Sequence, residues 1–175
     1  MPPDSGNLEL GPCNIYLEEN AVDQNVGYLG NVTVTFGSEA SPVTGAQKGT
    51  TPLDKFLTGG SVRIAVEFKE MTLQNFARAY PHSVLTGDSG RVDFTNRVGL
   101  SLRSLAKKLT IKKIVGGVES ALAKDHLIVP QASPVEGEIS VAFTPTDQRV
   151  LAATFEAWPD DVTGRMAFMG DELAS

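Results

Sequence analysis

The chain has one cysteine, two histidines and one tryptophan, and aromatic residues make up only 7% of its 175 positions. With Cys13 alone no disulfide can close within the chain, so the fold has to rest on an ordinary core, and nothing implies an oxidising compartment. His82, beside Pro81, and His126 have no partners at metal-ligand spacing, and both read as ordinary loop residues. Neither a Gly-x-Ser-x-Gly elbow nor a phosphate-cradling glycine loop with its lysine occurs. The acid pairs Glu18-Glu19 and Asp160-Asp161 fall in turn-like stretches, where solvated charge is expected. The expectation is therefore a protein that is not an enzyme, without catalytic residues, cofactor or metal.

Long apolar runs are missing as well, and the start, Met1-Pro2-Pro3-Asp4, has neither the basic nor the apolar region of an export signal. A soluble chain made in the cytoplasm, with no membrane partner, is expected. There is no excess of positive charge either. Fifteen Lys and Arg face 21 Asp and Glu, for a formal net charge of −6 and a pI near 4.9. Such a surface repels a phosphate backbone, which excludes tight nucleic-acid binding. The one basic cluster, Lys107, Lys108, Lys112 and Lys113, alternates with Leu109, Ile111 and Ile114 and reads as the wet face of a strand or helix. Asn31-Val32-Thr33 matches the glycosylation pattern, but inside an alternating strand and without an export signal it is a chance match.

What the chain does have is period-two alternation. Residues 26–36 place Val26, Tyr28, Val32, Val34 and Phe36 on one side, with Gly30 as a candidate bulge, and residues 61–69 repeat the pattern through Val62, Ile64, Val66 and Phe68. An early strand at 11–17, short strands at 127–129 and 138–144, and a last strand at 149–158 follow from the same reasoning. One helix is predicted over 72–80. Thr72 would be its N-cap, Met71 would staple on Phe76, and Pro81 would stop it, with Leu73, Phe76, Ala77 and Tyr80 as its core stripe. Residues 101–109 suit a helix or two strands around a kink, and periodicity does not decide between them. The weakly patterned end, 160–175, reads as a mobile tail. The sum is one domain, 1–175, mainly β: a sandwich or barrel of antiparallel strands with one short packed helix and a long extended loop.

That loop, 37–60, is the most informative stretch. It is rich in Gly, Ser, Thr and Pro, far longer than a two- to five-residue hairpin connection, and has almost nothing to bury. Leu53 and Phe56 are apolar residues there with little core to enter. If the loop extends and doubles back, it is long enough to cross a neighbouring subunit, which points to self-assembly.

The order of these elements resembles the tail tube protein (major tail subunit) family of long-tailed bacteriophages over roughly 11–161. The likeness rests on Gly11-Pro12 before a strand, Tyr28-Leu29-Gly30, Gly49-Thr50-Thr51-Pro52-Leu53-Asp54 in the loop, Gly59-Gly60, and Leu73, Asn75, Phe76 and Ala77 in the helix. It closes with 150–155 and Glu156-Ala157-Trp158-Pro159-Asp160. The resemblance implies subunits that close into rings, commonly hexameric, which stack into a hollow tube in the virion. Double-stranded DNA would pass through in transit, unbound, with tape measure and other tail proteins as partners. It also implies strand over 100–111. On this reading Gln47, Lys48, Thr50, Pro52, Leu53, Asp54 and Phe56 form the inter-ring contact, and Arg63, Glu67 and Lys69 face the lumen or a neighbouring subunit. A related tube, inside a contractile sheath or of a secretion type, and a monomeric ligand-binding β-sandwich are the alternatives.

Overall fold

In chain order the elements are β1 (Cys13–Glu19), β2 (Val22–Asn25), β3 (Leu29–Thr44), β4 (Pro52–Phe68), α1 (Leu73–Ala79), β5 (Ser83–Thr86), β6 (Arg91–Phe94), β7 (Lys107–Val115), β8 (Val118–Glu119), β9 (His126–Pro134), β10 (Leu151–Ala157) and β11 (Phe168–Met169). The computed structural model describes residues 11–44, 51–87, 90–135, 139, 141 and 149–171. Every pairing is antiparallel, in the order β2-β1-β7-β9-β10-β4-β3, with β8 added to β7 and β11 to β9; β5 and β6 form a separate hairpin.

Alternation sets which face is buried. Val62, Ile64, Val66 and Phe68 are all 6% exposed or less, while Arg63 and Ala65 between them face out. They join Ile15, Leu17, Leu109, Val129, Leu151 and Phe155 in one cluster drawn from β1, β4, β7, β9 and β10, so the sheet wraps around a single core. Phe68 and Phe155 meet edge to face at 6.5 Å. Each large side chain buried this way contributes about 1.5–3 kcal/mol against the entropy of ordering the chain.

Several expectations are corrected. The strand foreseen over 26–36 is broken, because Asn25 Oδ1 accepts the Gly27 N–H at 2.8 Å and Gly27 sits at φ +87°. Val26 is buried by this turn and Tyr28 is thrown outward, 78% exposed. The irregularity expected at Gly30 is present as a register shift between Leu29 and Val32. Over 100–111 the chain first makes a 3-10 turn, Leu102–Leu105, closed by Ser104 N–H and Oγ on Ser101 O, and becomes strand only at Lys107. The end of the chain is docked as far as residue 171. Phe168 and Met169 pair with Ile128 and Leu127, Met166 and Ala167 pack on the core, and Asp161 is ion-paired to Arg103. His126 opens β9, with Nε2 2.8 Å from Ser120 O, and is no loop residue; His82 lies in a turn and its Nδ1 accepts the Arg97 N–H at 3.1 Å. The strand foreseen over 138–144 lies mostly outside the described residues, though Ile139 and Val141 pack on the core.

Helix α1 forms where the cap predicts, with Thr72 Oγ1 accepting the Asn75 N–H at 3.1 Å. Its buried face differs from the expected stripe. Leu73 is exposed, Phe76, Ala77 and Tyr80 are half-buried, and Asn75, Arg78 and Ala79 are buried. The cause is polar pairing. Asn75 Nδ2 donates to Val26 O and Glu70 O at 3.0 and 2.9 Å. Arg78 grips Glu19 through Nε and an η nitrogen at 3.1 and 3.0 Å. Lys107 Nζ and Gln74 Nε2 also donate to Glu19, at 2.8 and 2.9 Å. Burial alone would raise the Glu19 carboxyl, but its bonds to Arg78 and Lys107 outweigh burial and hold it at about 2. Glu19 is thus no solvated turn charge: it ends β1 and locks α1 onto the sheet.

Candidate self-assembly surface

The stretch 37–60 is not an open loop. Strands β3 and β4 stay paired through it, from Gly37 opposite Ser61 to Thr44 opposite Pro52, so it is a two-stranded arm. Its composition hid this because both of its faces are wet: every described residue from 37 to 60 is exposed, and burial begins only with the half-buried Ser61 at its base. Eight residues of β3 beyond Phe36 carry the arm about 26 Å at roughly 3.3 Å per residue. No other strand of the described residues pairs with it.

Two carboxylates fix the start of β3, at the end of the ladder opposite the arm. Glu70 Oε1 accepts the Tyr28 N–H at 3.1 Å and Glu67 Oε2 accepts the Asn31 N–H at 2.9 Å. Both lie where a side chain on the neighbouring glycine would stand. A Cβ at Gly27 would meet Glu70 at 2.4 Å, and one at Gly30 would meet Glu67 at 2.5 Å. The glycines let the acids reach the backbone, and so hold the direction in which β3 sets out.

Register then decides what the arm presents. Partners across an antiparallel ladder share a face, and neighbours along a strand alternate. A shift between Glu39 and Ala40 skips Thr58, which turns Leu57 to the face of Phe36, opposite Ala40. Phe56 therefore lies on the other face, opposite Ser41 and beside Val43. Phe36, Val43, Leu53, Phe56 and Leu57 are all exposed, Leu57 by 81%. A ribbon that rests flat on a surface needs apolar residues on one face only; this one has them on both. A two-stranded ribbon is also marginal in water without a covering layer.

Of the residues singled out in the sequence, Pro52, Leu53, Asp54 and Phe56 are exposed on the distal half of β4. Gln47, Lys48 and Thr50 lie outside the described residues. Arg63 stands on the outer face of β4, 3.4 Å from Glu156 on β10; Glu67 is engaged with the start of β3, and Lys69 is exposed just past β4, where its N–H reaches Tyr28 O at 2.9 Å. The sequence missed Phe36, which alternation had assigned to the core, and Leu57, whose face is set by the skipped residue. It also missed the open outer edge of β3, the last strand in the order.

Among the described residues no group of three His, Cys, Asp or Glu is placed to hold a metal, and no helix is long and apolar enough to cross a membrane. Comparison of the sequence with known protein families and with curated proteins finds no match.

Proposed function

We propose that this chain is a structural subunit that assembles with copies of itself into rings, commonly of six, which stack into the hollow tail tube of a bacteriophage virion. The observation that carries this reading is the arm: a paired ribbon about 26 Å long, uncovered by any other of the described residues, with apolar residues on both faces. The open edge of β3 supports it, because closure into a ring gives sheet edges a partner. The net charge of −6 suits a conduit for DNA, which would slide past an acidic wall without adhering. The work is mechanical and electrostatic, and no bond is made or broken. Tape measure and other tail proteins would bind the assembled tube.

The test is electron microscopy of the purified chain beside a variant in which residues 40–58 are replaced by Asn-Gly, a two-residue turn that rejoins Glu39 and Gly59. The intact chain should give rings or tubes. The shortened chain should remain a folded monomer, since no core residue is removed. Tubes from the shortened chain, or monomers alone from the intact chain even with the other tail proteins present, would overturn the proposal.

A further inference from the structure

A cavity of about 530 Å³ opens beneath α1, between the end of β1, the start of β7 and β5. This volume lies within the roughly 300–1,000 Å³ of sites that enclose a ligand. Its floor is apolar, with Leu17 and Phe155 of the core, and Leu85 and Leu105 stand at its sides. We propose that this cavity seats the distal arm of a second copy of this chain, with Leu53 and Phe56 entering it, so that copies join head to tail. The inference rests on the assembly reading above and names the surface that receives the arm.

Two observations favour this occupant. The first is direction. The ladder runs from Phe68, five residues before α1, outward to Pro52, so a chain's own arm leads away from its own cavity. The arm and the cavity beneath α1 therefore suit a repeating contact between successive copies, the heterologous kind that builds filaments. The second is shape: apolar residues on both faces require the arm to be enclosed, which a cavity does and a flat patch does not.

The test uses full-length chains in which Cys13→Ser removes the native thiol. One chain adds Phe56→Cys, a second Leu105→Cys, and a control Val118→Cys, at the far end of β7 from Lys107. Pairs are mixed, assembled and mildly oxidised. The Phe56→Cys and Leu105→Cys pair should give at least ten times more cross-chain disulfide than the Phe56→Cys and Val118→Cys pair. Equal or greater linkage to the control within normal tubes would overturn this inference and leave the tail-tube proposal standing. Failure of the unmodified chain to polymerise, even with the other tail proteins present, would overturn both. Ala77→Trp, which fills the cavity from the helix, supplies a second reading. It should cut tube yield at least tenfold while the monomer keeps its circular dichroism spectrum. Normal tube yield from that variant counts against the inference.

Discussion

Substituting Glu19→Gln tests how α1 is locked over the cavity. The Arg78 side chain is 5% exposed and that of Glu19 is 17%, so the substitution leaves a buried guanidinium without its counter-charge. Breaking a buried pair from one side costs about 3–5 kcal/mol. Glutamine still accepts one hydrogen bond and water reaches the open side of residue 19, which brings the expected loss at pH 7 to roughly 2–3 kcal/mol. Urea unfolding followed by the fluorescence of Trp158 should show this as a midpoint lower by about 1–2 M at an ordinary slope. The pH dependence gives an independent check. The folded carboxyl is held at about 2, below its ordinary 4.5, so the unfolded state takes up the proton first. The stabilisation is therefore complete above pH 4.5 and is lost as the pH falls toward 2. The gap between the two chains should be constant at neutral pH and close through that acid window. A loss under about 1 kcal/mol at pH 7, or a gap unchanged near pH 2, would refute this account of the lock.

Two further outcomes follow from local geometry. Gly27→Ala forces a side chain onto a φ of +87° and drives its Cβ within 2.4 Å of the Glu70 carboxylate, so thermal unfolding should show a loss of about 1–2 kcal/mol. Hydrogen exchange at the Tyr28 amide should quicken at the same time, because Glu70 has to leave it. Ser133→Ala removes the fully buried hydroxyl that accepts the Trp158 indole N–H at 2.8 Å. Denaturation should register about 1–3 kcal/mol, and the emission of the single tryptophan should shift.

Where one face of a strand is buried, the fold could be read from the chain. The alternation of Val62 to Phe68 gave the inner half of β4, Thr72 and Pro81 bounded α1, and residues 149–158 became β10. Misreadings arose where that rule has no purchase. The arm is exposed on both faces, so its strands show no alternation and read as loop. The buried side of α1 is set by Asn75 and Arg78, whose burial depends on Val26, Glu70 and Glu19, partners distant in sequence that no helical period reveals. Glu19 looked like a solvated charge because its cations come from α1 and β7. The docked end of the chain depends on β9, reached only once Met166 and Ala167 find the core. Of the candidate site, Leu53 and Phe56 were legible as apolar residues without a core. Leu57 was not, since a skipped residue at Thr58 decides which side it presents, and Phe36 was not, since it follows the alternation of the core yet lies exposed where the arm begins.

The outer flank of β3 spans sixteen residues and is interrupted by little more than Glu39 and Pro42. Natural sheets usually blunt such margins with lysines, prolines or short length. Left bare at high concentration, this one is a template on which foreign or misregistered strands can grow into insoluble β-aggregate. Storage of the isolated polypeptide should accordingly be limited by precipitation well before unfolding. On the proposed assembly, production in a cell would have to keep pace with the supply of neighbours to cover this margin.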